Sequence, residues 1–298
     1  MAAHLLGDAR HWRYYALAPA VAVYLLLTAL PLANLVAMSL HEIKWAGGSA
    51  HWQFSGIRHF AELGGDHLIR AGITNTVLFA IAAVTCEMLI GFFLALFVSR
   101  AVTGRVAYRT IFLLPILIPG IVIGAIWKLM YNPDFGVINQ LLSLAGFAGR
   151  DWLGEKSLAL AAVIVVDIWH WTPFVLLLLL AAIETLPQDA FEAARVDGAT
   201  AWQELRHITL PMMWPAIAVT LLFRLVVSFK VFDEVYLLTG GGPGTATEVV
   251  SFTIYRRFFT EDREGFGSAL SLVVLFLLTL AVVLAHAASR RRQALATA

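Results

Sequence analysis

Apolar residues are gathered into six long runs that are separated by shorter polar stretches. Each run approaches or exceeds the roughly 20 helical residues that cross a bilayer core. The runs are continuous rather than alternating, which excludes a membrane β-barrel. The sequence therefore predicts an all-α polytopic membrane protein with six transmembrane helices, at Tyr14–Leu40, Ala71–Val98, Ala107–Tyr131, Ser157–Ile183, Met212–Val231 and Phe266–Ala287.

The segments at the two ends set the predicted domain organisation. The first apolar run is far longer than the 7–15 residues of a signal-peptide core, so we expect it to be a retained helix. Residues 1–13 then form an N-terminal segment, residues 14–288 a single transmembrane domain, and residues 289–298 a basic tail.

Orientation in the membrane follows from the positive residues in the loops. Six spans place both termini on one side, and Lys and Arg favour the cytoplasm. With the termini inside, ten arginines fall on the inner segments and eight Lys or Arg residues on the outer ones. This small bias, together with the cluster Arg290–Arg292 beside the last span, predicts that both termini are cytoplasmic.

Composition excludes several classes of protein. Hydrophobic residues make up 60% of the chain and charged residues 14%, with a net charge of +1. No basic stripe is available to neutralise phosphates, so we expect no nucleic-acid partner. The single Cys86 cannot form an intrachain disulfide, and the nine histidines show no metal-ligand spacing.

A polar segment, Pro187–Pro211, separates the fourth and fifth apolar runs and is predicted to face the cytoplasm. Proline fits the first turn of a helix, and the carboxylates of Asp189 and Glu192 follow where the helix dipole favours them. Gly198 is suited to a left-handed C-terminal cap, at a bend where a Cβ is expected to clash. Thr200 then begins a second helix. The segment, called the 187–211 loop below, is predicted to be helix, tight bend, helix.

Several motifs carry a family resemblance. The 187–211 loop contains an EAA triplet, a glycine four positions later and an I-x-L-P ending, and it includes FEAARVDGA. WHWTPF in the fourth span, LTGGGPGTATEV after the fifth and FSGIRHFAEL in the first outer loop agree with it. Together they resemble the permeases of binding-protein-dependent ABC importers, and specifically the MalF-like subunit of the carbohydrate-uptake branch.

The resemblance implies a type I importer core in the inner, or plasma, membrane of a prokaryote, surrounded by lipid. A second, MalG-like permease would complete the path, a homodimeric ATPase would supply the energy, and an extracytoplasmic binding protein would deliver a sugar. The chain contains no G-x-x-x-x-G-K-[ST] phosphate loop. We therefore expect a transport subunit and not an enzyme, with no cofactor of its own, ATP and Mg being used by the ATPase.

The resemblance also implies site residues. The ATPase-coupling residues of the 187–211 loop are Glu192, Ala193, Ala194, Asp197, Gly198, Ile208, Leu210 and Pro211. The substrate-path candidates are His170, Trp171, Phe174, Arg224, Val227, Ser228 and Val231. Glycines also allow a partner to approach the backbone closely, so Gly240, Gly241, Gly242 and Pro243 are the candidates for contact with the binding protein, an ordinary flexible loop being the alternative. The maltose type carries amides where this chain has Ser228 and Val231, which implies a different sugar, and Arg224 leaves an anionic or phosphorylated one open.

Alternatives to these assignments remain at the sequence level. Glu87 and Arg224 either form a structural ion pair or contact solute, and the tryptophans of the fourth span form either a sugar platform or an interfacial belt. A permease for a polyol or glycerol phosphate fits the same motifs. An ion-coupled secondary transporter would use Glu87, Asp167 and Arg224 as a relay but leaves the 187–211 loop unexplained.

Overall fold

The computed structural model describes residues 9–100 and 104–296. Residues 1–8 of the predicted N-terminal segment, residues 297–298 of the predicted tail and the side chains of Arg290–Arg292 lie outside the described part. The chain forms two compact units. One comprises the described residues up to Gly65 with Ile254–Thr279, and the other comprises Asp66–Thr253 with the described residues from Leu280.

The first unit contains a β-hairpin that the all-α prediction did not include. Helix α1 (Ala9–Ser39) leads into the antiparallel strands β1 (His41–Ala46) and β2 (Ser49–Phe54), followed by α2 (Arg58–Leu63). Gly47 and Gly48 join the strands with φ angles of 58° and 77°. Two residues at positive φ form the kind of tight turn that matches the twist of a hairpin, and glycine adopts this conformation without strain.

The remaining elements are helical. They are α3 (His67–Arg100), α4 (Arg105–Leu113), α5 (Gly120–Met130), α6 (Val137–Leu144), α7 (Lys156–Glu184), α8 (Gln188–Val196), α9 (Ala201–Glu204), α10 (Leu210–Ser228), α11 (Asp233–Leu238), α12 (Val250–Tyr255) and α13 (Glu264–Ala296). Short 3-10 or π-helical turns occur at Pro115–Leu117, Leu205–Thr209 and Arg256–Thr260.

Within the described residues, five helical segments are long and apolar enough to cross a membrane, and they agree with five of the six predicted spans. They are Tyr14–Ser39, His67–Arg100, Lys156–Glu184, Ala201–Leu238 and Glu264–Ala285. The prediction of one continuous third helix over 107–131 was wrong. That segment is divided into α4, a 3-10 turn and α5 because Pro115 and Pro119 cannot donate backbone hydrogen bonds. Ile118, which precedes Pro119, has an extended backbone with a ψ of 128°.

Helices α3, α7 and α10 pack against one another and form the main core of the second unit. The buried residues at one end of this packing are Ala95, Val98, Val175, Leu176, Leu179, Leu180 and Met213. Small residues also bring α5 close to α11, since a Cβ on Gly124 would lie 2.7 Å from Leu237. Gly120 and Gly124 have the G-x-x-x-G spacing whose small residues allow two helices to approach closely.

Replacing Gly91 in α3 by leucine is expected to destabilise this core. A Cβ at this position would lie 2.7 Å from Val175 Cγ1 and 3.1 Å from the backbone nitrogen of Leu176. Overpacking of this kind costs about 1–3 kcal/mol of unfolding free energy. The measurement is the thermal unfolding midpoint in detergent. Ile90→Phe is a matched control because Ile90 is exposed, and equal midpoints for the two variants would contradict the prediction.

Candidate functional site

The 187–211 loop has the helix, bend, helix structure that the sequence predicts. Helix α8 ends at Val196, and Gly198 follows it with a φ of 75°. The Gly198 N–H donates to the Arg195 carbonyl at 3.1 Å and the Ala199 N–H to the Ala194 carbonyl at 2.9 Å, which is the Schellman arrangement. A Cβ on Gly198 would meet no described atom within 4 Å. The clash expected from the sequence was therefore wrong, and the left-handed backbone is the reason for glycine here.

The second half of the loop continues directly into the fifth span. Thr200 caps α9 in a reciprocal capping box with Gln203. A π-helical turn, Leu205–Thr209, then connects α9 to α10. Glu192 and Ala193 on α8 are exposed, Ile208 and Leu210 are half-buried, and Pro211 is exposed. The loop thus presents a short helix pair that is firmly joined to a membrane-spanning helix.

Three charged residues lie close together where the 187–211 loop meets the end of α3, and we call them the loop ion cluster: Arg100, Arg195 and Glu204. The sequence did not predict this group. Glu204 Oε1 lies 3.4 Å from Arg195 Nε, and Glu204 Oε2 lies 4.0 Å from Arg100 Nη2. The Glu204 side chain is buried whereas both arginines are largely exposed. The three residues line a cavity of about 690 Å³.

A second set of charges lies between α3, α7 and α10, and we call it the central ion cluster: Glu87, Asp167 and Arg224. Arg224 Nε and Nη2 donate to the two oxygens of Glu87 at 2.5 and 2.6 Å, and Nη2 also donates to Asp167 Oδ2 at 2.9 Å. Arg224 and Glu87 are fully buried. The ion pair predicted as one of two alternatives is therefore present, and it includes Asp167 from a third helix.

A polar cavity of about 390 Å³ adjoins the central ion cluster. Its lining residues include Gly120, Asp167, His170, Trp171, Val227, Lys230, Val231, Asp233 and Glu234. The Arg224 guanidinium lies 4.6 Å from the centroid of the Trp171 ring, within the range of a cation–π interaction. His170 Nδ1 is 3.2 Å from Glu234 Oε1. The cavity therefore combines an aromatic face with several hydrogen-bonding groups.

The glycine-rich segment after α11 is held by side-chain hydrogen bonds. Thr247 Oγ1 donates to the Gly242 carbonyl at 2.7 Å, and Asn75 Nδ2 in α3 donates to the carbonyls of Thr245 and Glu248 at 2.8 and 2.9 Å. Gly240 and Gly241 have positive φ angles. Thr247 thus bonds the predicted binding-protein contact, Gly240–Pro243, at Gly242, and the residues that follow this contact are bonded to α3.

Residues 87–294 match a protein family described as the binding-protein-dependent transport system inner membrane component. This match covers most of the chain, including both ion clusters and the 187–211 loop. The chain belongs to this family.

Individual proteins resemble this permease along nearly its whole length. The probable ABC transporter permease YurN of Bacillus subtilis is 37% identical over 91% of this chain and 93% of its own. The trehalose/maltose permease MalF of Thermococcus litoralis is 34% identical over 92% and 91% of the two chains. A bacterial alginate ABC transporter, solved with an alginate-loaded periplasmic protein, is 28% identical over 95% of each chain, with a TM-score of 0.84.

Membership of the family settles the general role of the permease. It is a multi-pass membrane subunit of an ABC importer and is not itself the enzyme, because separate ATPase subunits hydrolyse ATP in these systems. Such importers pair the permease with a second permease, an ATPase and an extracytoplasmic binding protein. The type I permease fold predicted from the motifs is confirmed.

The predicted substrate-path residues of the permease fall into two groups. His170, Trp171, Val227 and Val231 line the polar cavity. The other three residues, Phe174, Arg224 and Ser228, make different contacts. The rings of Phe174 and Phe223 stack with their centroids 4.8 Å apart. Arg224 is hydrogen-bonded within the central ion cluster, and Ser228 is buried. The first group therefore remains the better candidate for contact with a transported molecule.

Among the described residues, no group of three or more His, Cys, Asp or Glu side chains could hold a metal ion. The carboxylates of the two ion clusters instead face arginines. Their geometry is that of ion pairs within the protein.

Proposed function

We propose that this permease forms, with a MalG-like second permease, the translocation path for a sugar that an external sugar-binding protein delivers. The names of its relatives support a saccharide, since they include a trehalose/maltose permease and an alginate importer. The observation that carries the proposal is the polar cavity, where the Trp171 ring lies beside carboxylate, imidazole and ammonium groups. Sugars are bound by such aromatic faces together with polar groups that reach their hydroxyls.

The 187–211 loop is the proposed docking site for a homodimeric ATPase on the cytoplasmic side, with both termini of the chain on that side. Its exposed helix α8 presents Glu192 as a partner for a basic group, and the cap at Gly198 fixes the direction of the chain into α9. ATP and Mg would bind the ATPase, so the permease would need no cofactor of its own.

An uncharged sugar is the proposed solute. Asp167, Asp233 and Glu234 line the cavity against one lysine, Lys230, and one histidine. At the sequence level, Arg224 made an anionic sugar an option. In the structure Arg224 is enclosed and bonded to two carboxylates. This charge balance disfavours a sugar acid or glycerol phosphate, since like charges in a site of low dielectric repel strongly.

The Gly240–Pro243 segment is the proposed contact for the loaded binding protein on the outer side. Its backbone is held by Thr247 and, through the next residues, by Asn75 of α3. A rigid turn without bulky side chains allows close approach of a partner backbone.

Uptake by the reconstituted importer tests the proposal. The permease, its partner permease, the ATPase and the binding protein are placed in liposomes without an ion gradient. We expect uptake of a neutral saccharide only when ATP is present, and we expect the same saccharide to raise the unfolding temperature of the binding protein. The panel includes neutral mono-, di- and oligosaccharides, polyols, glycerol phosphate and sugar acids.

An ATPase variant unable to hydrolyse ATP is the matched control. Uptake that requires a proton or sodium gradient instead of ATP would contradict the importer assignment. Selective uptake of glycerol phosphate or a sugar acid would contradict the proposed solute while leaving the importer assignment intact.

A further inference from the structure

The buried carboxylate of Glu204 joins three separate parts of the chain. It approaches Arg195 in the last turn of α8 at 3.4 Å and Arg100 at the end of α3 at 4.0 Å, while Glu204 itself ends α9. The loop ion cluster therefore links the helix that carries the EAA triplet to the second membrane-spanning helix as well as to the fifth.

The link matters because α8 has few other attachments. None of the nine residues of α8, all of which the structure describes, is buried. Phe191 and Arg195 line one side of the 690 Å³ cavity, and Leu96, Ser99 and Arg100 of α3 line another. A cavity separates these residues of α8 and α3, and Glu204 of α9 bridges the two helices through its ion pairs with Arg195 and Arg100.

Glu204 also lies at a junction in the backbone. The π-helical turn Leu205–Thr209 follows it immediately, and the Thr209 hydroxyl donates to the Glu204 carbonyl at 3.3 Å. Single π-helical turns inside α-helices are frequent at functional sites. A displacement of α8 that acts on Glu204 therefore reaches α10 through this turn and α3 through Arg100.

We propose that Glu204 is a positioning residue that transmits movement of the 187–211 loop to α3 and α10 together. This inference rests on the proposed docking of the ATPase on that loop. In the wild-type assembly, displacement of α8 pulls Arg195, Glu204 and Arg100 in turn, and the ends of the second and fifth spans move with the ATPase.

The test uses the complete reconstituted importer with Glu204→Gln, which keeps the shape of the side chain and removes its charge. We expect the ATPase to stay bound and its basal hydrolysis to stay within about twofold, whereas stimulation by loaded binding protein and uptake fall roughly tenfold, the effect of about 1.4 kcal/mol. Glu155→Gln is the matched control, because Glu155 forms an exposed pair with Arg150 at 3.8 Å, and it should change neither quantity.

Charge exchange separates positioning from folding. Glu204→Arg alone places three arginines together and should abolish stimulation, and adding Arg195→Glu should recover a substantial part of it. Normal stimulation in Glu204→Gln would overturn the inference, as would loss of the ATPase from the complex without recovery in the exchanged pair. If the wild-type assembly shows no ATP-driven uptake, the proposed function itself has failed.

Discussion

Replacing Gly198 by tryptophan should leave the permease inserted in the membrane but reduce ATP-driven uptake about tenfold or more. The backbone of Gly198 has a φ of 75°, and a left-handed conformation costs a residue with a Cβ roughly 1–2 kcal/mol. The tryptophan variant is expected to avoid this strain by opening the Schellman cap between α8 and α9. The surface that the loop presents to the ATPase then changes shape. The measurements are membrane insertion, ATPase retention and uptake.

Asparagine at the same position is the informative control. Asparagine tolerates the left-handed region better than other residues with a Cβ, and the space beside Gly198 is open to a distance of 4 Å. Gly198→Asn should therefore retain most of the uptake, whereas Gly198→Val should behave like the tryptophan variant. Normal uptake by Gly198→Trp would argue against a docking role for the loop.

The second large effect is expected at Arg224. Arg224→Met removes the only arginine of the central ion cluster and leaves Glu87 and Asp167 buried without their cation. Breaking a buried ion pair in this way costs about 3–5 kcal/mol. We expect a lower yield of inserted protein and an unfolding midpoint in detergent that is reduced by roughly 10 °C.

A triple variant shows whether the loss comes from unpaired charge. Glu87→Gln and Asp167→Asn, added to Arg224→Met, remove all three charges and should restore much of the midpoint, because neutral side chains of similar shape replace an incomplete ion pair. Lys128→Met removes a positive charge from an exposed position and serves as the control. A midpoint unchanged in Arg224→Met would refute a structural role for the cluster.

The sequence predicted the parts of the fold that depend on continuous local patterns. Long apolar runs located five spans, and Pro187, Gly198 and Thr200 located the two helices of the 187–211 loop and the bend between them. The prediction of a continuous third span was wrong because it followed the apolar pattern alone. Pro115 and Pro119 interrupt hydrogen bonding within an otherwise suitable run. The β-hairpin was not predicted, because β1 and β2 are only six residues long each and mix polar and apolar side chains between two long apolar runs.

Contacts between residues that are far apart in the sequence were harder to predict. Charged residues inside apolar runs are costly and therefore conspicuous, so Glu87, Asp167 and Arg224 could be singled out, although which would pair depended on how α3, α7 and α10 pack. Arg100, Arg195 and Glu204 lie at span ends or in a polar loop, where charge is ordinary. Only the folded chain brings the end of α3 beside the start of the fifth span.

The interrupted third span has a consequence for hydration. Between α4 and α5 the backbone at Pro115–Pro119 departs from the α-helix, and Gly120, the next residue, lines the polar cavity. Non-helical backbone at membrane depth is tolerated where it is buried in protein or borders water. Water entering from the cavity would satisfy backbone groups that lack a helical partner at this break, and the proposed sugar would then meet a hydrated surface instead of a dry interior.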